Sequence, residues 1–220
     1  MPLAGQGMLM TSMDVDPEHE RELNLWYDRE HIAERVAIPG FLEARRYVAE
    51  DARPKYLGLY STAAFEDLSS EAYRRALANQ TEWSRTNLAR FRNMGRAVAR
   101  ITASRGQGRG AALAILRLRP QSGLEPSLRE RLVTQLDPGR IDDVISMHLL
   151  ESDPGLSVSL TEPDAPNPGA ADWYVLIEGT RVEAVTSLAD EHFTEAAGQD
   201  AETVSQGTYR LMWDLARSDL

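Results

Sequence analysis

Tyr27, Asp28, Glu30, His31 and Glu34 crowd into one short stretch of "LNLWYDREHIAERVAIPGFLEARRY" (23–47). On a helix, Tyr27 and His31 are four apart and can touch. Asp28 precedes His31 by three positions and Glu34 follows it by three. A carboxylate beside an imidazole raises its pKa and can fix its tautomer. That suits a general acid or base. At about 100° per residue, Leu25, Ile32, Ala33 and Val36 share one side and Trp26 borders it. Tyr27, Glu30, His31 and Glu34 fall on another. The same pattern also describes a solvated polar face supported by i,i+4 pairs, so both readings stand.

The strand that follows supplies a cation. Alternation over 41–49 puts Leu42, Ala44, Arg46 and Val48 on one face and Phe41, Glu43, Arg45 and Tyr47 on the other. The first set is more apolar and is expected to pack under the helices. Arg46 there needs a partner. It can anchor a carboxylate, phenolate or enolate, or form a structural salt bridge to Glu30 or Glu34. Tyr56 and Tyr60 share a strand face with Gly58, which leaves room beside them. Trp26, Tyr60 and Trp83 are candidate substrate contacts, with Phe91 and Met94 as further pocket walls. Aromatic and Met side chains at such spacings also build ordinary core. His19, His148 and His192 show no HxH or HExxH spacing, so no dedicated metal site is expected. GxSxG and P-loop motifs are absent as well.

Short runs of alternating and helical periodicity position these residues. Strands are expected at 8–13, 41–49, 56–61 and 96–103. A first helix runs from Asp16-Pro17 to about Ile38, stopped by Pro39-Gly40. A second is capped by Ser69 or Ser70, and helical texture resumes over 83–91. The order is β-α-β-β-α-β, the ferredoxin-like plan. "SRGQGRG" (104–110) reads as a linker. The pattern then restarts: strands at 112–118, 141–150, 173–178 and 209–215, and helices striped by Leu128, Leu132 and Leu136 and by Val182, Val185, Ala189 and Phe193. Pro138-Gly139 ends the third helix as Pro39-Gly40 ends the first. "TEPDAPNPGAAD" (161–172) is a Pro/Gly loop. The expected fold class is α+β, with two ferredoxin-like repeats, 1–105 and 106–220, burying their bare sheet faces against each other as one eight-stranded barrel.

Composition narrows the partners. A net charge of −10 opposes a nucleic-acid surface and anionic membranes and favours a small neutral or aromatic ligand. The chain has no cysteine, which removes disulfides, thiolate nucleophiles and Cys-based metal sites. No run of roughly 18 apolar residues occurs, and "MPLAGQGMLMTSMDVD" lacks a signal-peptide pattern, so a cytoplasmic location is expected. Exposed sheet edges or helix faces can support a homodimer.

The stretch "WYDREHIAERVAIPGFLEARRY" resembles a motif of EthD-like proteins in the dimeric α+β barrel superfamily. There a Trp and then a His occupy the first helix, and a Pro-Gly break leads into the second strand. The likeness covers about residues 8–103; beyond 111 it is topological only. It implies a ligand pocket between sheet and helices, and cofactor-free isomerisation, dehydration or oxygenation of a small cyclic or aromatic compound. On that basis His31 moves the proton, Tyr27 and Asp28 orient it, and Arg46 stabilises developing negative charge. Two alternatives follow: haem binding or degradation with His31 as axial ligand, and a non-catalytic ligand-binding protein.

Overall fold

The computed structural model of the 220-residue chain describes residues 3–158, 167, 169–193 and 197–220, without the side chains of Arg140 and His192. Most of the loop expected over 161–172, and the His192 side chain, lie outside the described residues. The strands are β1 (Gly7–Asp14), β2 (Phe41–Asp51), β3 (Tyr56–Thr62), β4 (Arg92–Gly106), β5 (Ala112–Pro120), β6 (Val144–Ser152), β7 (Trp173–Gly179) and β8 (Ala201–Ala216). They close into an antiparallel barrel in the order β1-β3-β2-β8-β5-β7-β6-β4. Because closure occurs within one chain, no second copy is needed to cover a sheet edge. The helices are α1 (Glu20–Trp26), α2 (Ile32–Val36), α3 (Glu71–Ala78), α4 (Glu82–Leu88), α5 (Glu125–Gln135) and α6 (Val182–Leu188).

Alternation sorts the side chains into three apolar clusters. Met8, Met10, Leu57, Leu59, Leu113, Ile115 and Leu176 fill the barrel. Leu9, Met13, Trp26, Tyr27, Ala44, Tyr56 and Tyr60 face the helices of the first half. Leu116, Leu118, Leu128, Leu132, Leu149, Val175 and Phe193 face those of the second. Full burial of each such Leu contributes roughly 1.5–3 kcal/mol.

Several local expectations change. Asp16 makes no side-chain cap; its carboxylate takes a bidentate bond from Arg92 (3.0 and 2.8 Å). Ser70 does cap, accepting from Tyr73 N at 3.1 Å. The fourth strand starts earlier than expected and runs on to Gly106, absorbing the first residues of the expected linker. Phe41 packs in the helix layer with Ala44 instead of on the opposite face. A register shift between Phe41 and Glu43 inserts an extra residue and resets the alternation. From Glu43 to Tyr47 the faces are as expected: Ala44 lies under the helices, while Tyr47 is inside the barrel.

Candidate functional site

The first helix is not one regular helix. Residues Tyr27–His31 form a π-helical turn between α1 and α2, closed by Ile32 N–H donating to Tyr27 O. Such turns add one residue to a helix and recur at functional sites. Residues five apart on an α-helix point to different faces. The extra residue brings Trp26 and His31 together, with ring centroids 4.1 Å apart. Tyr27 meets His31 edge-on at 4.9 Å. Tyr60 stands perpendicular to His31 at 6.3 Å.

His31 is therefore boxed by aromatic rings and only 8% exposed. This corrects the expected polar face. No carboxylate pairs with the imidazole, and its pKa is held well below 6.5. Burial is the main cause, followed by the positive charges of Arg35 and Arg46. The ring is neutral near pH 7, and its Nδ1 is buried without a hydrogen-bond partner.

Asp28 does not orient His31. The π turn directs it outward, where it accepts from Trp213 Nε1 (2.9 Å) and Arg46 Nη1 (3.5 Å). Arg46 lies under the helices as expected, at 1% exposure. Its partners are not Glu30 or Glu34. Nη2 donates to Asn24 Oδ1 at 2.6 Å, and the guanidinium stacks over the Tyr27 ring at 4.1 Å. Arg46 Nε is buried without a partner. Glu30 instead ties two helices together, accepting from Trp26 Nε1 (3.2 Å), Thr81 Oγ1 (2.6 Å) and Ser84 Oγ (3.1 Å). Trp26 is fully buried and forms the back wall of the His31 box. Trp83 is half-buried and donates to Glu22 (2.6 Å), near the start of α1.

The sheet beneath completes the site. Thr11, Gly58 and Arg46 are cross-strand neighbours in one row, which Trp213 of β8 extends. The absence of a side chain at Gly58 lets Thr11 and Tyr60 close in over it, so no open space is left there. A methyl group added to it would lie 3.0 Å from Thr11 Oγ1 and 3.2 Å from the Tyr60 hydroxyl. Both of those oxygens are buried beside the Tyr27 hydroxyl, which interacts with each of them. Burial raises the pKa values of Tyr27 and Tyr60, so both phenols stay protonated. His31 Nδ1 and Arg46 Nε thus share this layer with unmet hydrogen-bonding capacity, beside the Tyr27, Tyr60 and Thr11 hydroxyls. Unpaired buried polar atoms cost about 1–3 kcal/mol each and usually find a protein or water partner.

Among solved structures, the chain is similar to an anthrone oxidase-like protein, with a TM-score of 0.65, 10% identity, and 98% of this chain and 94% of that one covered. It is also similar to a candidate monooxygenase of Fusobacterium nucleatum subsp. nucleatum (TM-score 0.61, 8% identity, 97% and 95% covered). A candidate chlorite dismutase matches with a TM-score of 0.58 and 12% identity over 96% of each chain. At these identities the likeness is one of fold: an α+β, ferredoxin-like barrel. No protein-family model and no curated protein matches the sequence.

The surroundings of His31 do not fit an axially bound haem. Trp26 and Tyr27 pack against the ring, and the imidazole is buried with its Nδ1 enclosed. Among the described residues, no cluster of three or more His, Asp or Glu is arranged to hold a metal ion, and no helix is long and apolar enough to cross a membrane.

Sequence reasoning reached Tyr27, His31, Arg46 and Tyr60, but the room expected beside Gly58 is filled by Thr11 and Tyr60. The same reasoning missed Thr11, Asn24 and Trp213. Thr11 carried a usable signal, as a polar residue on the helix-facing side of an otherwise apolar strand. Trp213 carried none, because its role depends on β8 pairing with β2.

Proposed function

We propose that this protein is a small-molecule enzyme that enolises a small cyclic or aromatic compound between the first-half helices and the sheet. Its chemistry is isomerisation, dehydration or oxygenation without a cofactor. The observation that carries this reading is the gathering of His31, Arg46, Tyr27 and Tyr60 in one buried layer, with His31 Nδ1 and Arg46 Nε without hydrogen-bond partners. Neutral His31 Nδ1 is a base free to accept a proton from a carbon next to a carbonyl. The negative charge then develops on the carbonyl oxygen, where Arg46 Nε–H and the Tyr60 hydroxyl can donate to it. The buried Arg46 charge is stronger there than in water. Trp213 and Asp28 close the outer edge, so entry of a substrate requires their 2.9 Å bond to open.

The neighbours described as an anthrone oxidase-like protein and a candidate monooxygenase support a reaction of this class. We further propose that residues 1–105 and 106–220 are tandem ferredoxin-like repeats. The matching strand orders β4-β1-β3-β2 and β8-β5-β7-β6 support this.

The test is proton exchange. Anthrone and a panel of cyclic enolisable ketones are incubated with the protein in D2O and followed by NMR. Loss of the α-proton signal is expected to be faster with wild type than with His31→Ala. Equal rates for the two proteins would remove His31 as the base. Saturable binding without exchange would instead favour the non-catalytic ligand-binding reading.

A further inference from the structure

The two ends of the barrel interior are filled differently. At one end, inward-facing positions carry large charged or polar groups. Arg45 bonds Glu178 (2.7 Å) and Glu43 (2.8 Å), and His148 lies 3.4 Å from Glu178. At the other end, the inward-facing positions carry little. Ser12 opposes Gly95, Ile115 opposes Gly207, and Arg117 opposes Ser205. The missing side-chain volume leaves a cavity of about 300 Å³ opening at the barrel mouth. This is at the low end for small-molecule pockets, about 300–1,000 Å³. It lies inside the barrel, on the opposite face of the sheet from His31 and Tyr60.

Its floor is apolar, made by Met10, Leu57, Ala97 and Ile115, and its rim is cationic. Arg53, Arg96 and Arg117 line it, and among the described residues none of its lining residues is Asp or Glu. Arg117 is bonded to Asp172 (2.6 Å), and Arg119 is bonded to the same carboxylate (3.0 Å) and to Glu202 (3.5 Å). The nearby Asp14 is turned to Lys55 N (2.7 Å) and Asn93 Nδ2 (2.9 Å). The charged groups among the described lining residues of the mouth are thus the guanidiniums of Arg53, Arg96 and Arg117. An apolar floor under a cationic rim is complementary to an amphipathic anion.

We infer that the mouth of the barrel is a second binding site, separate from the His31 site, for a small carboxylic acid. The apolar body enters among Met10, Leu57, Ala97 and Ile115, and the carboxylate meets Arg117 at the rim. Arg117 supplies fixed parallel donors suited to a carboxylate.

Isothermal titration of the full chain with octanoate and with octan-1-ol tests this. Octanoate is expected to bind saturably at one site per chain, with octanol at least about ten-fold weaker. Arg117→Gln should weaken octanoate by about ten-fold or more and leave octanol unchanged. Arg119 keeps Asp172 paired in that variant. Ala97→Phe should block both ligands by filling the floor, with an unchanged circular dichroism spectrum. Should that variant fail to fold, Arg117→Gln still decides the matter. The inference is overturned if octanoate shows no saturable binding, if octanol binds equally well, or if Arg117→Gln leaves octanoate binding unaltered.

Discussion

The helix–sheet layers of the two halves occupy comparable places in the barrel and have opposite chemistry. In the second half, Leu116, Val175 and Leu149 stand side by side across three strands, under Leu128 and Leu132 of α5. In the first half, the corresponding row is Thr11, Gly58 and Arg46, under Tyr27 and His31. Gly58 and Val175 are each the third residue of a seven-residue strand. One layer is close-packed hydrocarbon. The other holds a buried cation, a neutral imidazole and hydroxyls. Stability alone does not call for the second arrangement, since apolar replacement of buried polar groups is often neutral or favourable. Under the proposed function the first layer serves binding, and the second supplies stability through its packed hydrocarbon.

Denaturant midpoints give the sharpest test of this contrast. Leu149→Ala should cost about 2–5 kcal/mol through lost burial and a residual cavity. Arg46→Met should leave stability within about 1 kcal/mol of wild type, because Asp28 is half-exposed and regains water. It should also abolish the proton exchange proposed above. Equal losses in the two variants would erase the distinction between the layers.

A second test writes one layer into the other. Gly58→Val gives the first row the residue of the second. The added carbons meet Thr11 and Tyr60 at about 3 Å. The expected cost is about 1–3 kcal/mol from overpacking, with loss of ligand binding. Normal ligand binding in this variant would show that this row is not the site.

Trp213→Phe keeps an aromatic ring at the position paired with Arg46 across β2 and β8 and removes the bond to Asp28. Stability should fall by about 0.5–1.5 kcal/mol at most. Stopped-flow association of a ligand of the first layer should become faster, since one closing contact is gone. An unchanged association rate would take Trp213 out of the entry route.

The smallest effect is on pH dependence. The folded-state pKa of His31 lies below the unfolded value near 6.5. As pH falls, the unfolded chain binds the proton first. The stability tied to neutral His31 is complete above about pH 6.5 and is lost as pH drops through the lowered folded value. His148 is lowered mainly by burial too and acts in the same direction. His31→Phe should therefore flatten the slope of stability against pH below 6.5 without removing it. A slope identical to wild type would mean that His31 does not titrate as a buried group.

Local order was largely legible in the sequence. Alternation marked the strands, the Pro-Gly breaks marked helix ends, and Leu128 and Leu132 marked a helix face that is indeed buried. The candidate site was legible as a list of residues rather than as an arrangement. A helical wheel placed His31 beside carboxylates in water, because it assumes a constant rotation per residue. The π turn breaks that assumption and moves the imidazole into an aromatic box. The Asp28–Trp213 contact joins residues 185 positions apart, and no local pattern can encode it.

By itself, the sequence determined which segments become strands and helices, because burial periodicity and backbone stereochemistry act over a few neighbouring residues. It also determined that Arg46 would lie under a helix. Only the tertiary structure decided the partners of Arg46, the neutral state of His31 and the cavity at the barrel mouth. Each of these depends on barrel closure and strand register. Closure sets how much water reaches a charge, and register sets which side chains meet across strands far apart in the chain.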